Sequence, residues 1–186
     1  MRIIGGTRRG LKLAEVGEGD MAAHLRPTSD RVREAIFNLL INAHGNPVSG
    51  ARVLDLFAGT GALGLEALSR GASSATFVDD GAKALALVRA NIAKMRAEGE
   101  TRVIRQDVTR LGPNPGAGYN LVFLDPPYGK GIGEVALAAI RKDGWLAPDA
   151  MVVWEEGVAS SAPEGFALVD QRKYGDTVVT LMRAPE

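Results

Sequence analysis

The chain contains no cysteine. Disulfides, thiolate metal sites, iron–sulfur clusters and thiol nucleophiles are therefore excluded from its chemistry. Histidine is almost as scarce: His24 and His44 are the only two in 186 residues, too few for a histidine-rich metal centre. A serine–histidine triad stays open, but no G-x-S-x-G elbow supports one. Apolar runs of membrane-spanning length are missing, and residues 1–14 (MRIIGGTRRGLKLA) mix basic, glycine and apolar residues rather than forming a basic-then-apolar leader. The expected location is the cytoplasm, with no membrane partner. An excess of one charge is missing too, since 22 Lys and Arg balance 22 Asp and Glu, so no global field advertises a polyanionic partner.

What is present describes an ordinary globular chain. Hydrophobic residues make up 46% and charged residues 24%, and the length suffices for one domain with a real core. The charge is unevenly placed. Residues 1–14 hold Arg2, Arg8, Arg9 and Lys12 with no acid until Glu15. That pattern fits a solvated terminus, and it equally fits a small basic arm that touches phosphates.

Residues 2–5 and 11–14 read as two short strands around a glycine- and arginine-rich turn, and residues 15–27 as an irregular loop. A helix follows, capped by Thr28 or Ser29 and stopped at Gly45, with Val32, Ala35, Ile36, Leu39 and Leu40 on one apolar stripe. Arg31, Arg33 and Glu34 lie off that stripe. From residue 51 strands and helices alternate: strands at 51–57, 74–79, 101–106, 120–125 and 150–155, helices at 62–70, 82–96 and 132–141. The chain closes with FALVDQRK and DTVVTLMR, which alternate like an antiparallel hairpin around Tyr174-Gly175. The expected fold class is α/β: a doubly wound, mostly parallel, seven-stranded sheet with an antiparallel hairpin at its end and a short N-terminal β-hairpin extension. Residues 1–27 form the expected arm and loop, residues 28–186 the main domain.

Within DLFAGTGALG (55–64) lies Gly59-Thr60-Gly61-Ala62-Leu63-Gly64, the G-x-G-x-x-G of dinucleotide-binding folds. Asp79, twenty residues after Gly59, even suits the ribose-binding acid of that fingerprint. Asp55 opposes the dinucleotide reading. A carboxylate beside a pyrophosphate is repulsive by about 4 kcal/mol per charge pair at close range and an effective dielectric of 20. S-adenosylmethionine, with an ammonium and a sulfonium, reverses that sign, and its adenosine offers hydroxyls to Asp79 and an amine to Asp107. Acids at successive strand ends, Asp55, Asp79, Asp107 and Asp125, each have a bland explanation as turn or cap residues. Together they line one edge of the sheet, where open α/β folds bind ligands.

Asp125-Pro126-Pro127-Tyr128 follows the apolar strand NLVFL. A strand-ending turn accounts for the prolines but not for the acid and the aromatic beside them. The segment suits methyl transfer to an exocyclic amine. The Asp125 carboxylate and the Pro126 carbonyl can accept from an –NH₂ group, the prolines stiffen the geometry, and Tyr128 offers a flat face to an unstacked base.

With these motifs the chain resembles the class I S-adenosylmethionine-dependent methyltransferases that carry a DPPY motif. More closely, it is similar to the bacterial family that methylates the N2 amine of a guanine in 16S ribosomal RNA. RIIGGTRRG (2–10), LRPTSDRVREAIFN (25–38), DLFAGTGALGLEALSRG (55–71), DPPYGKG (125–131) and YGDT (174–177) carry the resemblance over nearly the whole chain. It implies cofactor contacts at Thr28, Asp55, Phe57, Ala58, Gly59, Gly61, Asp79 and Asp107, with S-adenosylhomocysteine as coproduct and no metal. It also implies that Asp125, Pro126, Pro127 and Tyr128 hold the target guanine. One departure is that Asp79 stands where the family usually has Glu, which can shift ribose contact partly to Asp80. The resemblance makes Arg2, Arg8, Arg9, Arg26 and Arg31 the RNA-facing set, and the partner 16S rRNA within an assembled or partly assembled 30S subunit; a monomer is the default expectation. The competing functions are DNA adenine-N6 methylation through the same DPPY geometry, and a non-catalytic RNA-binding assembly factor.

Overall fold

The computed structural model describes residues 1–15 and 28–186. Helix α1 (Asp30–Ala43) precedes β1 (Arg52–Leu56), α2 (Ala62–Ser69), β2 (Ser74–Asp79), α3 (Ala82–Met95), β3 (Thr101–Arg105), β4 (Tyr119–Leu124), α4 (Ile132–Lys142), β5 (Leu146–Glu156), β6 (Ala167–Tyr174) and β7 (Thr177–Arg183). The seven strands form one sheet in the order β3-β2-β1-β4-β5-β7-β6. β1 to β5 run parallel, and β7 lies antiparallel between β5 and β6. The expected doubly wound architecture with its antiparallel finish is what the chain adopts.

The strands at the centre are buried on both faces, which is why they read as continuous apolar runs rather than alternating ones. One core side joins Ile36, Phe37 and Leu40 of α1 to Leu65 and Leu68 of α2 and to Phe77 and Phe123 of the sheet. The other joins Leu54, Leu124 and Trp154 to Leu137 and Ile140 of α4. Ser29, not Thr28, caps α1, its side chain accepting from the Val32 N–H at 3.2 Å.

The apolar stripe of α1 is rotated from expectation. Arg33, read as lying off the stripe, is fully buried alongside Ile36, Phe37 and Leu40. Its charge is met by Asp30 at 2.8 Å and by Glu66 of α2 at 3.5 Å. β5 begins at Leu146, four residues earlier than expected, because Leu146 pairs with Tyr119 ahead of a register shift in β4.

The N-terminal segment is a minimal hairpin. Arg2 and Lys12 form one antiparallel bridge, and the Ile3 N–H donates to the Leu11 carbonyl at 2.9 Å. Its next donors go elsewhere: Ile4 and Gly5 N–H donate to the Glu66 carboxylate at 2.9 and 2.8 Å. Ile3 and Leu13 sink into the core at 0% and 1% exposure, so the hairpin lies flat on α2 and α3. Asn91 of α3 clamps its far end through Ala14.

Candidate active site

β2 and β3 lie on one side of β1, and β4 with β5 on the other, so the chain reverses direction across the sheet between β1 and β4. Such a reversal opens a crevice at the carboxyl ends of the strands. Asp55, next to last in β1, pairs in register with Phe123 of β4, and Asp125 directly follows the end of β4. The first glycine turn and DPPY therefore face one another across the crevice.

Asp55 is 2% exposed, and its carboxylate accepts from the Gly64 N–H at 2.9 Å. That contact explains the last glycine of the motif. A Cβ at Gly64 would stand 2.5 Å from the Phe77 ring and 3.0 Å from the Asp55 oxygen. Gly59 and Gly61 take φ of 57° and 78°, and Phe57, with no such freedom, also sits at φ 57°. A non-glycine residue held there costs about 1–2 kcal/mol, a strain found most often at binding loops. Ala58, nearly buried, donates its N–H to the Val78 carbonyl at 3.1 Å and fixes the loop against β2.

Asp79 ends β2 and holds two glycine turns at once, accepting from Gly59 N–H at 3.0 Å and Gly81 N–H at 2.8 Å. Asp80, beside it, is exposed. Asp107 caps a short turn, accepting from the Thr109 N–H at 2.9 Å and hydroxyl at 2.7 Å, and these hydrogen bonds hold its carboxyl below the ordinary value. Its bland reading as a cap is thus also true, while the side chain remains exposed to a ligand.

Thr28 lies on the DPPY side of the crevice. Its hydroxyl is 3.2 Å from Asp125 Oδ2 and 3.3 Å from each oxygen of Glu155, so its single proton serves one carboxylate at a time. Glu155, at the end of β5 and 2% exposed, was not singled out from the sequence. Burial raises the Asp55 carboxyl well above its ordinary value; the Gly64 hydrogen bond opposes this, and Asp125 and Asp79 add to the rise. Glu155 is raised likewise by burial and then by Asp125, with Thr28 opposing, Asp55 adding and Arg33 opposing. Burial also lifts Asp79. The crevice is a set of carboxylates that resist sharing their charge, and a cation among them relieves that repulsion.

The DPPY segment is braced from below. Pro126 is buried and Pro127 exposed. Tyr128 packs against Gly157, where a Cβ would approach its ring at 3.1 Å, and its hydroxyl lies 3.2 Å from that of Thr177 in the terminal YGDT turn. Glu156 accepts from the N–H of Gly129 at 3.0 Å and of Gly157 at 2.8 Å. Arg33, the other overlooked residue, reaches the carbonyls of Thr28 and of Arg2, joining the crevice wall to the N-terminal segment. Two acids closing an apolar strand, Glu155-Glu156 after AMVVW, were the available sign of the first two.

The expected RNA-facing residues do not gather in one place. Arg31 is exposed on the first turn of α1, next to Thr28, and Arg2 is exposed near Arg33. Arg8 and Arg9 lie at the opposite edge of the sheet, where Arg8 pairs with Glu100, the residue before β3, at 3.4 Å. Arg26 falls outside the described residues. Among the described residues no group of His, Asp and Glu is placed to hold a metal ion, and no helix is long and apolar enough to cross a membrane.

The family described as conserved hypothetical protein 95 matches residues 1–183. Ribosomal RNA small subunit methyltransferase D of Escherichia coli (strain K12) is 40% identical over 164 residues, spanning 88% of this chain and 78% of the relative. The Bacillus subtilis (strain 168) protein YlbH is 36% identical over 189 residues, spanning 98% of both chains. The solved structure of the Escherichia coli protein yhhF superposes with a TM-score of 0.83 at 36% identity, covering 100% of this chain and 98% of that one.

Proposed function

The chain belongs to the conserved hypothetical protein 95 family, a methyltransferase family that includes ribosomal RNA small subunit methyltransferase D, and we propose that it methylates the exocyclic N2 amine of one guanine in 16S rRNA, using S-adenosylmethionine. The observation that carries this reading is the juxtaposition at the switch point. A strained glycine turn with buried Asp55 faces Asp125 of DPPY, and burial, with the nearby acids adding to it, raises the carboxyls of Asp55 and Glu155.

The residues fit that cofactor. Asp55 and the turn of Phe57, Ala58, Gly59 and Gly61, with positive φ at Phe57, Gly59 and Gly61, offer a cationic amino acid a carboxylate and a close approach, Asp79 or Asp80 serves the ribose, and Asp107 the adenine. A pyrophosphate in the same place would add negative charge beside Asp55, whose carboxyl is already raised by burial and then by Asp125 and Asp79. Bound S-adenosylmethionine supplies a methyl group on a sulfonium, a leaving group that needs no metal, and departs as S-adenosylhomocysteine.

The chain's own part is to select, orient and neutralise. Asp125 and the Pro126 carbonyl accept from the guanine –NH₂, which turns the nitrogen lone pair toward the methyl group. Pro126 and Pro127 restrict the backbone of that acceptor pair, and Tyr128, braced by Thr177, presents its ring to the base. As the nitrogen becomes positive, Asp125 stabilises the charge until one of the nitrogen's protons passes to water. Thr28 can then turn its hydroxyl from Asp125 to Glu155 without losing an acceptor.

The substrate in this reading is an assembled or partly assembled 30S particle, met in the cytoplasm by a monomer. Subunits from cells lacking this protein, incubated with it and with methyl-labelled cofactor, should carry label on one guanine N2 of 16S rRNA. Label on DNA adenine, or on no nucleic acid, would overturn the assignment.

A further inference from the structure

The amino edge of the sheet, opposite the crevice, carries a groove. Arg8, Arg9 and Leu11 of the N-terminal segment face Lys94, Met95 and Arg96 at the end of α3 across a space of about 320 Å³. Both walls are set by the fold. Ser69 accepts from the Arg8 N–H at 3.0 Å and donates to the Gly5 carbonyl at 2.6 Å. Gly6, at φ 76°, passes so close to Ser69 that a Cβ would lie 1.8 Å from its carbonyl oxygen. α3 stops because Arg96 turns into the left-handed region at φ 53°, while its N–H still caps the Ala93 and Ile92 carbonyls.

The chemistry of the groove is an apolar floor under a cationic rim. Met95 is buried and Leu11 half-buried, whereas Arg9, Lys94 and Arg96 are exposed. Arg8 is partly neutralised by Glu100, and Glu98 stands in the same turn. Four cations outnumber these two acids, in a chain of zero net charge. Glu100 precedes β3, whose last residue, Arg105, pairs with Asp79 at the crevice. At about 3.3 Å per strand residue the groove lies roughly 20 Å from the acceptor site.

We propose that this groove holds the sugar–phosphate backbone of the substrate RNA, so that Lys94 and Arg96 join Arg8 and Arg9 in a second grip. The inference rests on the rRNA methyltransferase reading. The target base enters at the carboxyl edge while a backbone segment about 20 Å away is held at the amino edge. Phosphate contacts of this kind fix register without reading sequence, which suits a site far from the chemistry. Guanidinium and ammonium groups around an apolar floor match a chain of anionic phosphates joined by less polar sugars.

The test is small-subunit binding across a salt series, comparing the parent with the Lys94→Gln/Arg96→Gln double variant and with Lys94→Arg. Each lost phosphate contact flattens the plot of log K against log salt by about 0.7–0.9, so the double variant should lose roughly 1.4–1.8 units of slope and bind on the order of tenfold more weakly at 100 mM salt. Lys94→Arg should keep the parent slope. Cofactor affinity and the rate at saturating subunit should not change, which also reports correct folding. A parent-like slope in the double variant overturns the groove assignment. Weaker binding with an unchanged slope overturns it as well, in favour of a protein surface docking there. A parent enzyme that itself neither binds nor methylates subunits brings down the rRNA reading first, and the groove with it.

Discussion

Glu66 and Glu155 are both buried glutamates, at 0% and 2% exposure, and they are treated oppositely. Glu66 lies at the centre of a closed network: the N–H groups of Ile4 and Gly5, the Arg70 guanidinium at 2.8 Å and the Arg33 guanidinium at 3.5 Å all point at it. Glu155 instead faces Asp125 and Asp55, meets the one proton of Thr28, and is pushed well above its ordinary pKa. A buried ion is tolerated when donors surround it, and the first network welds the N-terminal segment to α1 and α2. In the crevice no cation faces Glu155 as closely as Arg70 faces Glu66: Asp55 accepts one N–H, Glu155 shares the Thr28 proton, and the like charges gathered there leave room for a cationic ligand. Structure is stored where charges are answered, and binding where they are not.

Removing the answered charge should have the largest effect. Glu66→Leu removes the acceptor of the Arg70 guanidinium and of two N–H donors and leaves buried Arg33 with Asp30 as its one paired acid, and should cost about 3–5 kcal/mol in chemical denaturation. A loss below about 1 kcal/mol would mean that the network does not hold the arm down.

Asp125→Ala should act on the other side of the comparison. It leaves the glycine turn intact, so S-adenosylmethionine binding should persist while methyl transfer falls by about 10²–10³-fold. A rate close to the parent's would remove Asp125 from the catalytic assignment.

The smallest change is expected from Glu155→Gln. Asp55 and Glu155 have folded pKa values above their unfolded ones, so the folded protein binds more protons. Their contribution to stability should therefore be full at the acid end and be lost as pH rises from about 4 through the raised folded values, opposite in sign to that of Asp107 and Asp170, whose carboxyls are lowered. Glu155→Gln removes one contributor, so it should stay within about 1 kcal/mol of the parent at neutral pH and show a flatter decline. A steeper decline in the variant would show that Glu155 is stabilised as an ion, like Glu66.

The same contrast explains what was legible in the sequence. The strands and helices around the crevice follow from apolar runs and glycine stops, because both faces of the central sheet are buried and leave continuous apolar segments. Asp55, Asp79 and DPPY were visible because strand ends in this architecture project into one place. Arg33 was hidden, since a charged side chain suggests solvent and its partner Glu66 lies 33 residues on in another helix. Glu66 also takes the Ile4 and Gly5 donors from 62 and 61 residues away, which local periodicity cannot encode. Glu155 was hidden by its position at the end of an apolar strand, where its neighbours across the sheet, rather than along the chain, give it meaning. The family resemblance grouped the basic residues into one RNA-facing set without regard to where the fold puts them, and the hairpin carries Arg8 and Arg9 to the far edge.

The central claim is that the crevice accepts a cation because burial, with the neighbouring acids adding to it, disfavours the charge of its carboxylates. Calorimetric titration with S-adenosylmethionine near pH 6, repeated in buffers of different ionisation enthalpy, tests it most directly. A cation that settles beside Asp55 and Glu155, whose carboxyls are raised, favours their ionised forms, so binding should release protons to the buffer, and NADH should not bind. Binding of S-adenosylmethionine with no proton release, or binding of NADH in its place, would contradict the account.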